Sequence, residues 1–362
     1  MSYKTNEAVV IAAGGTGGHV VPALAVAAQL ETQNVPVIWF GTRAGLEASM
    51  VPAHGIEMRW IDVAGLRGKN LMQTMLGPLK LARAIWQSVQ QIQAIKPRAV
   101  LGMGGFVSGP VGLAALMLRK PLVLHEQNAV AGMTNRWLSS AATRVFCAWP
   151  NVFRSSCNAV VVGNPVRADM ELLASTPRPV STDASKPLHV LVVGGSRGAQ
   201  VLNEIVPEAA ALMNVDITIH HQSGKNNATL VRNAYAKAAH VNVQISEFID
   251  DMTQAYQRAD IVICRSGAMT VTELSALGLP SILVPFPHAV DDHQTMNARH
   301  LSDAGAAVLM PQQPLSAQLL GETLSSLVAD REKLAMMSRA ARRCFVPQAA
   351  VTVANALLEV SR

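Results

Sequence analysis

The sequence has 362 residues, 50% of them hydrophobic, which is too much apolar material for one ordinary domain and enough for two buried cores. Its net charge of +6 is unevenly placed: residues 1–168 carry 15 Lys and Arg against 6 Asp and Glu, residues 169–362 carry 15 against 18. Aromatic residues, at 4%, are too scarce for base-stacking nucleic-acid surfaces, and four cysteines without C-x-x-C spacing read as buried thiols of a reducing compartment rather than a disulfide scaffold or metal site.

The N-terminal MSYKTNEAVV lacks the basic and apolar signature of a secretory leader, and no run approaches the roughly 18 apolar residues of a membrane span. The expectation is a protein that stays on the cytoplasmic side. AVVIAAGGTGGHVVPALAVAAQL then reads as an apolar strand, a glycine turn and an apolar-periodic helix, and VPVIWF as a further strand.

Residues 65–98 place Met72, Met75, Leu76 and Leu79, then Ile85, Trp86 and Val89, at helical spacing. Arg67, Lys69, Lys80 and Arg83 stand among them and no acid does. Such a face suits the surface of an anionic membrane, and between Asp62 and Asp169 a single acid, Glu126, stands against twelve basic residues.

AVLGM leads into a second glycine loop, Gly102–Phe106, and PLVL into His125-Glu126-Gln127-Asn128. Gly163-Asn164-Pro165-Val166-Arg167 precedes ASTPRPVSTDASKP, whose Pro and Ser mark a linker. LHVLVVGGSRGAQVLNEIVPEAAALM then repeats the opening pattern, with Gly194-Gly195 answering Gly14-Gly15. DITIHH, ADIVIC and PSILVPF alternate with helical stretches to the end. The fold class is α/β, as two similar domains with parallel sheets covered on both faces, and their ligands belong at strand carboxyl ends and in the cleft between them.

Glycine loops between strand and helix offer backbone N–H groups and a helix-dipole end to phosphate oxygens, and three such loops point to a diphosphate. None fits G-x-G-x-x-G, and there is no G-x-x-x-x-G-K-[ST], which counts against a dehydrogenase and a P-loop enzyme. Arg167 can reach a diphosphate or be a plain surface turn. Ser266–Glu273 opens a helix after DIVICR; Glu273 can accept from ribose hydroxyls or simply cap the helix. Asp291–Asn297 concentrates hydrogen-bonding groups after a Pro-punctuated strand.

Eight motifs in order, GGTGGH, GMGGFVSGP, HEQNAVAG, GNPVR, GGSRGA, SEFIDDM, RSGAMTVTE and DDHQTMNA, resemble the MurG-type transferases of peptidoglycan synthesis along essentially the whole chain. The resemblance implies a GT-B fold: an acceptor and membrane-facing domain over 1–167, a UDP-N-acetylglucosamine domain over 168–346, and a helix near 347–362 packed back on the first. It implies transfer of N-acetylglucosamine to lipid I, with inversion to a β-1,4 linkage, giving lipid II. The enzyme would be peripheral on the cytoplasmic face of the inner membrane, with cell-wall and division machinery as partners and no nucleic acid.

Carried over by motif, Thr16, Gly17, Gly18, Arg167 and Ser196 belong to the donor diphosphate or sugar. The Ile249 backbone belongs to uracil and Glu273 to ribose. The backbone of Ala268, Met269, Thr270, Val271 and Thr272 belongs to the phosphates, and Asn128 and Gln294 orient the sugar. Gly14, Gly15, Gly104 and Gly105 would take the acceptor diphosphate, and Leu76, Leu79, Trp86, Lys69, Lys80 and Arg83 would face the membrane. Arg197 stands where glutamine is expected and Phe106 where tyrosine is frequent. Among acids and bases in the inferred cleft loops, His19 and Glu126 are the candidates for general base, with His19 preferred. No D-x-D occurs, so turnover without metal and without cofactor is expected. The competing readings are a UDP-sugar epimerase, a diacylglycerol glycosyltransferase, and a nucleotide- or lipid-binding protein without turnover.

Overall fold

A computed structural model describes residues 7–63, 77–176, 186–195 and 198–360. The chain divides into two compact units, Met1–Ala168 with Val346–Arg362, and Asp169–Phe345.

The first unit is built on an all-parallel sheet in the order β3-β2-β1-β4-β5-β6-β7. Its strands are β1 (Val9–Ala12), β2 (Val37–Gly41), β3 (Glu57–Trp60), β4 (Ala99–Gly102), β5 (Leu122–Glu126), β6 (Arg144–Cys147) and β7 (Val160–Val161). β1 is apolar on both sides because both of its faces are covered. Val9 and Ile11 join Val20, Leu24, Val353 and Leu357 on one face, and Val10 and Ala12 join Phe40, Ile92, Val107 and Val111 on the other. The helix Ala349–Glu359 covers the first of these faces beside α1 (Gly17–Thr32), and Arg144 pairs with Glu359 at 3.2 Å.

The second unit repeats the plan with β10-β9-β8-β11-β12-β13, again all parallel. The strands are β8 (Leu188–Val193), β9 (Ile217–Gln222), β10 (Asn242–Ser246), β11 (Ile261–Cys264), β12 (Ser281–Leu283) and β13 (Ala307–Leu309). Leu188, Val190, Val192, Ile217, Ile219, Ile261 and Ile263 form one face of its core with the helices Gln200–Leu212 and Ala317–Ala329. The ends of the Pro- and Ser-rich linker are gripped by one helix, Arg331–Arg343. Arg342 donates to the carbonyls of Ala174 and Thr176, and Arg331 to that of Lys186.

In both sheets the order reverses at the first strand, so the crossovers that follow β1 and β4, and those that follow β8 and β11, leave to opposite faces and the loops at these strands' carboxyl ends open a crevice. The fold class is therefore the doubly wound α/β arrangement expected from the repeated glycine turns. Cys147 and Cys264 are buried, and burial pushes their thiols up to about 11 and about 12; Cys157 and Cys344 are half-buried.

Candidate active site

In the first unit the loops after β1 and β4 meet at His19. Gly104 and Gly105 have φ of +86° and +73°, a region open to glycine, and a Cβ on Gly104 would lie 3.2 Å from the His19 ring. A Cβ on Gly105 would strike the Gly14 carbonyl at 2.7 Å. Thr16 Oγ1 lies 3.3 Å from His19 Nδ1 instead of capping α1, and nothing stands within 4 Å of the space a Gly17 side chain would fill. The start of α1 therefore keeps an open approach for an anion.

The Gly15 N–H donates to Glu47 Oε2 at 2.9 Å, so this donor is engaged within the protein. Phe106, which lacks the hydroxyl of the more frequent tyrosine, lays its ring edge 3.0 Å from where a Gly15 Cβ would be.

Glu126 is tied into its own loop. It is buried at the end of β5, and its carboxylate accepts from the Asn128 N–H (3.1 Å), Asn128 Nδ2 (3.2 Å), the Gly132 N–H (3.0 Å) and Asn135 Nδ2 (2.9 Å). Four donors leave little accepting capacity for a substrate proton, so Glu126 holds the 126–132 loop and with it Asn128. His19 is half-buried. His125 Nε2 bonds the Gly163 carbonyl at 2.8 Å, and Asn164 Nδ2 the Gln127 carbonyl at 3.1 Å, which fixes the segment leading to the exposed Arg167.

In the second unit the helix Ala268–Leu277 starts from Gly267 with no side-chain cap, so its first N–H groups face the crevice after β11. Within the expected donor segment the Val271 N–H is already taken by the Gly267 carbonyl and the Thr272 hydroxyl by that of Ala268, which leaves Ala268, Met269 and Thr270 as the open end. Gln294 Oε1 accepts from the Phe286 N–H at 2.9 Å, and its carbonyl accepts from Ser266 Oγ at 2.8 Å. Arg265, unremarked in the sequence, donates to the Val284 and Pro285 carbonyls and to Gln312, with its guanidinium 5.4 Å from the Phe286 ring centre. Tyr256, also missed, is buried and donates to Glu273 Oε2 at 3.2 Å. The helix Met252–Arg258 that carries it begins three residues after Ile249, from the Asp251 cap.

Thus Gly14–His19, Gly104, Gly105, Glu126, Asn128 and Arg167 belong to the first unit, and Ile249, Ala268–Glu273 and Gln294 to the second. Ser196 and Arg197 lie outside the described residues, as do Leu76 and Lys69. Leu79 and Trp86 stand 70% and 60% exposed, and Lys80 is exposed. Arg83 is not an unbalanced cation, because Asp62 pairs with it at 3.1 Å from across the β3 edge. Among the described residues no helix is long and apolar enough to cross a membrane, and no cluster of His, Cys, Asp and Glu could hold a metal ion.

Two family models match: the glycosyltransferase family 28 N-terminal domain over residues 9–147 and its C-terminal domain over 189–353. The chain belongs to glycosyltransferase family 28. Within that family it is 50% identical over 358 residues, 98% of this chain and 97% of the relative, to a Shewanella denitrificans protein. That protein is named UDP-N-acetylglucosamine--N-acetylmuramyl-(pentapeptide) pyrophosphoryl-undecaprenol N-acetylglucosamine transferase. A Chromohalobacter salexigens protein of the same name is 51% identical over 94% of both chains. The crystal structure of Acinetobacter baumannii MurG is 39% identical and superposes with a TM-score of 0.83 over 98% of this chain and 99% of that one. The fold class is therefore GT-B of the MurG kind. A Neisseria meningitidis UDP-GlcNAc 2-epimerase, 15% identical with a TM-score of 0.66 over 97% of this chain and 99% of that one, shares the fold alone.

Each unit of this family 28 enzyme also carries a neutral buried histidine. Desolvation lowers His125 to about 4, offset in part by its bond to Gly163, and lowers His221 to about 4 with the help of neighbouring His220. Folded values below the ordinary 6.5 mean that the unfolded chain binds more protons between the two, so stability is full above about pH 6.5 and is lost as pH falls toward 4. The loss is on the order of 3 kcal/mol per histidine. Urea unfolding at about pH 7.5 and about pH 5 reads it, and a His221→Gln variant with an undiminished pH slope would contradict the assignment.

Proposed function

We propose that this glycosyltransferase moves N-acetylglucosamine from UDP-N-acetylglucosamine to the C4 hydroxyl of the N-acetylmuramyl sugar of lipid I, with inversion, releasing lipid II and UDP. The observation that carries the reading is near-full-length identity of about one residue in two to proteins bearing that transferase's name. The second unit takes the donor: the Ile249 backbone at uracil, Glu273 at the ribose hydroxyls, the open start of Ala268–Leu277 at the diphosphate, and Gln294 at the sugar. Ser196 joins the diphosphate site from the motif alone. The first unit takes the acceptor, with Thr16, Gly17, Gly18, Asn128 and Arg167 completing the donor site.

The chemistry asks for positioning, an acceptor for the C4 hydroxyl proton, and stabilisation of charge on departing UDP. His19 accepts that proton on its imidazole. Helix-start N–H groups and Arg167 meet the charge that grows on the leaving diphosphate, so no metal is assigned to the reaction.

The acceptor is anchored in a bilayer, and the enzyme meets it as a peripheral protein on the cytoplasmic face. Leu79 and Trp86 dip into the interface while Lys80 and, from the sequence alone, Lys69 meet anionic headgroups. Exposed Met117 and Trp137 (62% and 78%), on the next two helices, extend the same apolar character.

The deciding experiment is UDP release from UDP-N-acetylglucosamine with and without a lipid I analogue, in excess chelator. Release that requires the acceptor and survives chelation is expected; donor binding without acceptor-dependent release would sink the reaction. Tyr256→Phe is expected to weaken UDP several-fold and to leave 2′,3′-dideoxy-UDP affinity unchanged, since its hydroxyl orients Glu273 toward the ribose; calorimetry on both ligands checks this. Trp86→Ser combined with Leu79→Ser is expected to abolish sedimentation with anionic vesicles while soluble-acceptor turnover persists, and undiminished vesicle binding would remove this face from consideration.

A further inference from the structure

Glu47 belongs to none of the motifs and yet stands under the most prominent of them. It is fully buried at the start of α2 (Glu47–Ala53), and its carboxylate makes no ion pair among the described residues. Both oxygens act as acceptors. Oε2 takes the Gly15 N–H at 2.9 Å; Oε1 takes the Thr42 N–H at 2.9 Å and the Thr42 hydroxyl at 2.8 Å. Three glycines make room for it, since a Cβ on Gly14, Gly41 or Gly45 would fall on the Glu47 side chain. An uncompensated buried carboxylate is expensive unless every lone pair facing protein is used, and a site kept clear by three glycines is a built one.

From these contacts we infer that Glu47 is a positioning residue of the transfer reaction, the anchor that sets the Gly14–His19 loop. The entry to the loop is fixed independently, because Trp39 Nε1 donates to the Ala13 carbonyl at 2.9 Å and Ser108 Oγ to that of Ala12 at 2.7 Å. Glu47 fixes the next peptide. With Ala13 and Gly15 both held, the turn can only deliver Thr16, Gly17 and Gly18 at the head of α1 and lay the His19 ring on Gly104 and Gly105. The carboxylate also spends the Gly15 N–H and sets a negative group beneath the loop, so an anionic ligand is confined to the helix start. The inference rests on the proposed role of this loop in transfer.

Glu47→Gln tests it, because glutamine keeps the volume but turns one acceptor into an NH2 that must face the Gly15 N–H or the Thr42 donors. Loss of a charge-assisted bond at the loop predicts kcat lowered by about 10- to 100-fold. Calorimetric affinity for uridine, whose base and ribose are assigned to Ile249 and Glu273 of the second unit, should stay within about 3-fold, that unit having its own core. The Gly15 amide resonance, read by nitrogen-edited NMR without any substrate, should move upfield in the variant as its carboxylate partner is lost. Glu47→Asp, which keeps the charge but shortens the reach, should recover part of kcat. A kcat within about 2-fold of wild type with a shifted Gly15 amide overturns the positioning role. An unshifted amide overturns the anchor itself, whatever the turnover. Should Glu47→Gln fail to fold, Thr42→Val removes one donor and leaves the Gly15 bond; its kcat should fall by about 3-fold or more, and an unchanged kcat counts against the inference. A wild type without acceptor-dependent UDP release defeats the proposed function, and the amide shift then decides the anchor alone.

Discussion

The molecule depends on parallel pairing that reverses direction at a central strand. β1 pairs with both β2 and β4, and β8 with both β9 and β11, so the crossover after each central strand leaves on one side and the crossover after its other neighbour on the opposite side. Two loops then part over the end of the sheet, and nothing in the ladder fills the gap between them. Glycine occupies those loops because backbone must pass close to backbone there: Gly105 against the Gly14 carbonyl in one unit, Gly194 against the Ala199 N–H in the other. The crevices follow from strand order, and the chemistry is placed in them by whichever residues the loops carry.

Acceptor side chains then hold the loops still. Glu47, Glu126 and Gln294 each spend side-chain oxygens on backbone N–H groups of neighbouring loops, at Gly15, Thr42, Asn128, Gly132 and Phe286. His125 adds a bond to the Gly163 carbonyl, and Arg265 caps three oxygens around the end of β12. Backbone groups at strand ends leave the ladder and still need partners, and a side chain from an adjacent loop satisfies them while fixing the loop's course. The groups facing a ligand are thus set by a second layer that need not touch it.

The architecture was legible because its signals are local. Apolar strands of four to six residues ending in Gly-Gly, followed by a 3.6-residue apolar period, give strand, turn and helix from a single window, and their recurrence gives the second unit. The site was legible only where motifs sit next to their own strands. Glu47 reaches a glycine 32 residues earlier, and Tyr256 a carboxylate 17 residues later, separations that no window covers. The surroundings of Glu126 were hidden for a related reason: a carboxylate at a strand end shows none of the donors that the 128–135 segment folds around it. Arg83 looked unbalanced because its acid, Asp62, belongs to a different element. Nothing in the periodicity of residues 349–359 says which sheet they cover; only the family resemblance spoke to that.

That last helix has a consequence for biosynthesis. Val353, Ala354 and Leu357 are part of the core that β1 and α1 begin, so the first unit is discontinuous and its hydrophobic interior is shared between residues made before the second unit and residues made after it. The second unit, continuous from Asp169 to Phe345, has all its strands and helices available sooner. Vectorial synthesis ordinarily favours the domain nearer the N-terminus. Here the order inverts: the second unit can close while the first one waits, with an uncovered apolar face, for the helix Ala349–Glu359 to leave the ribosome.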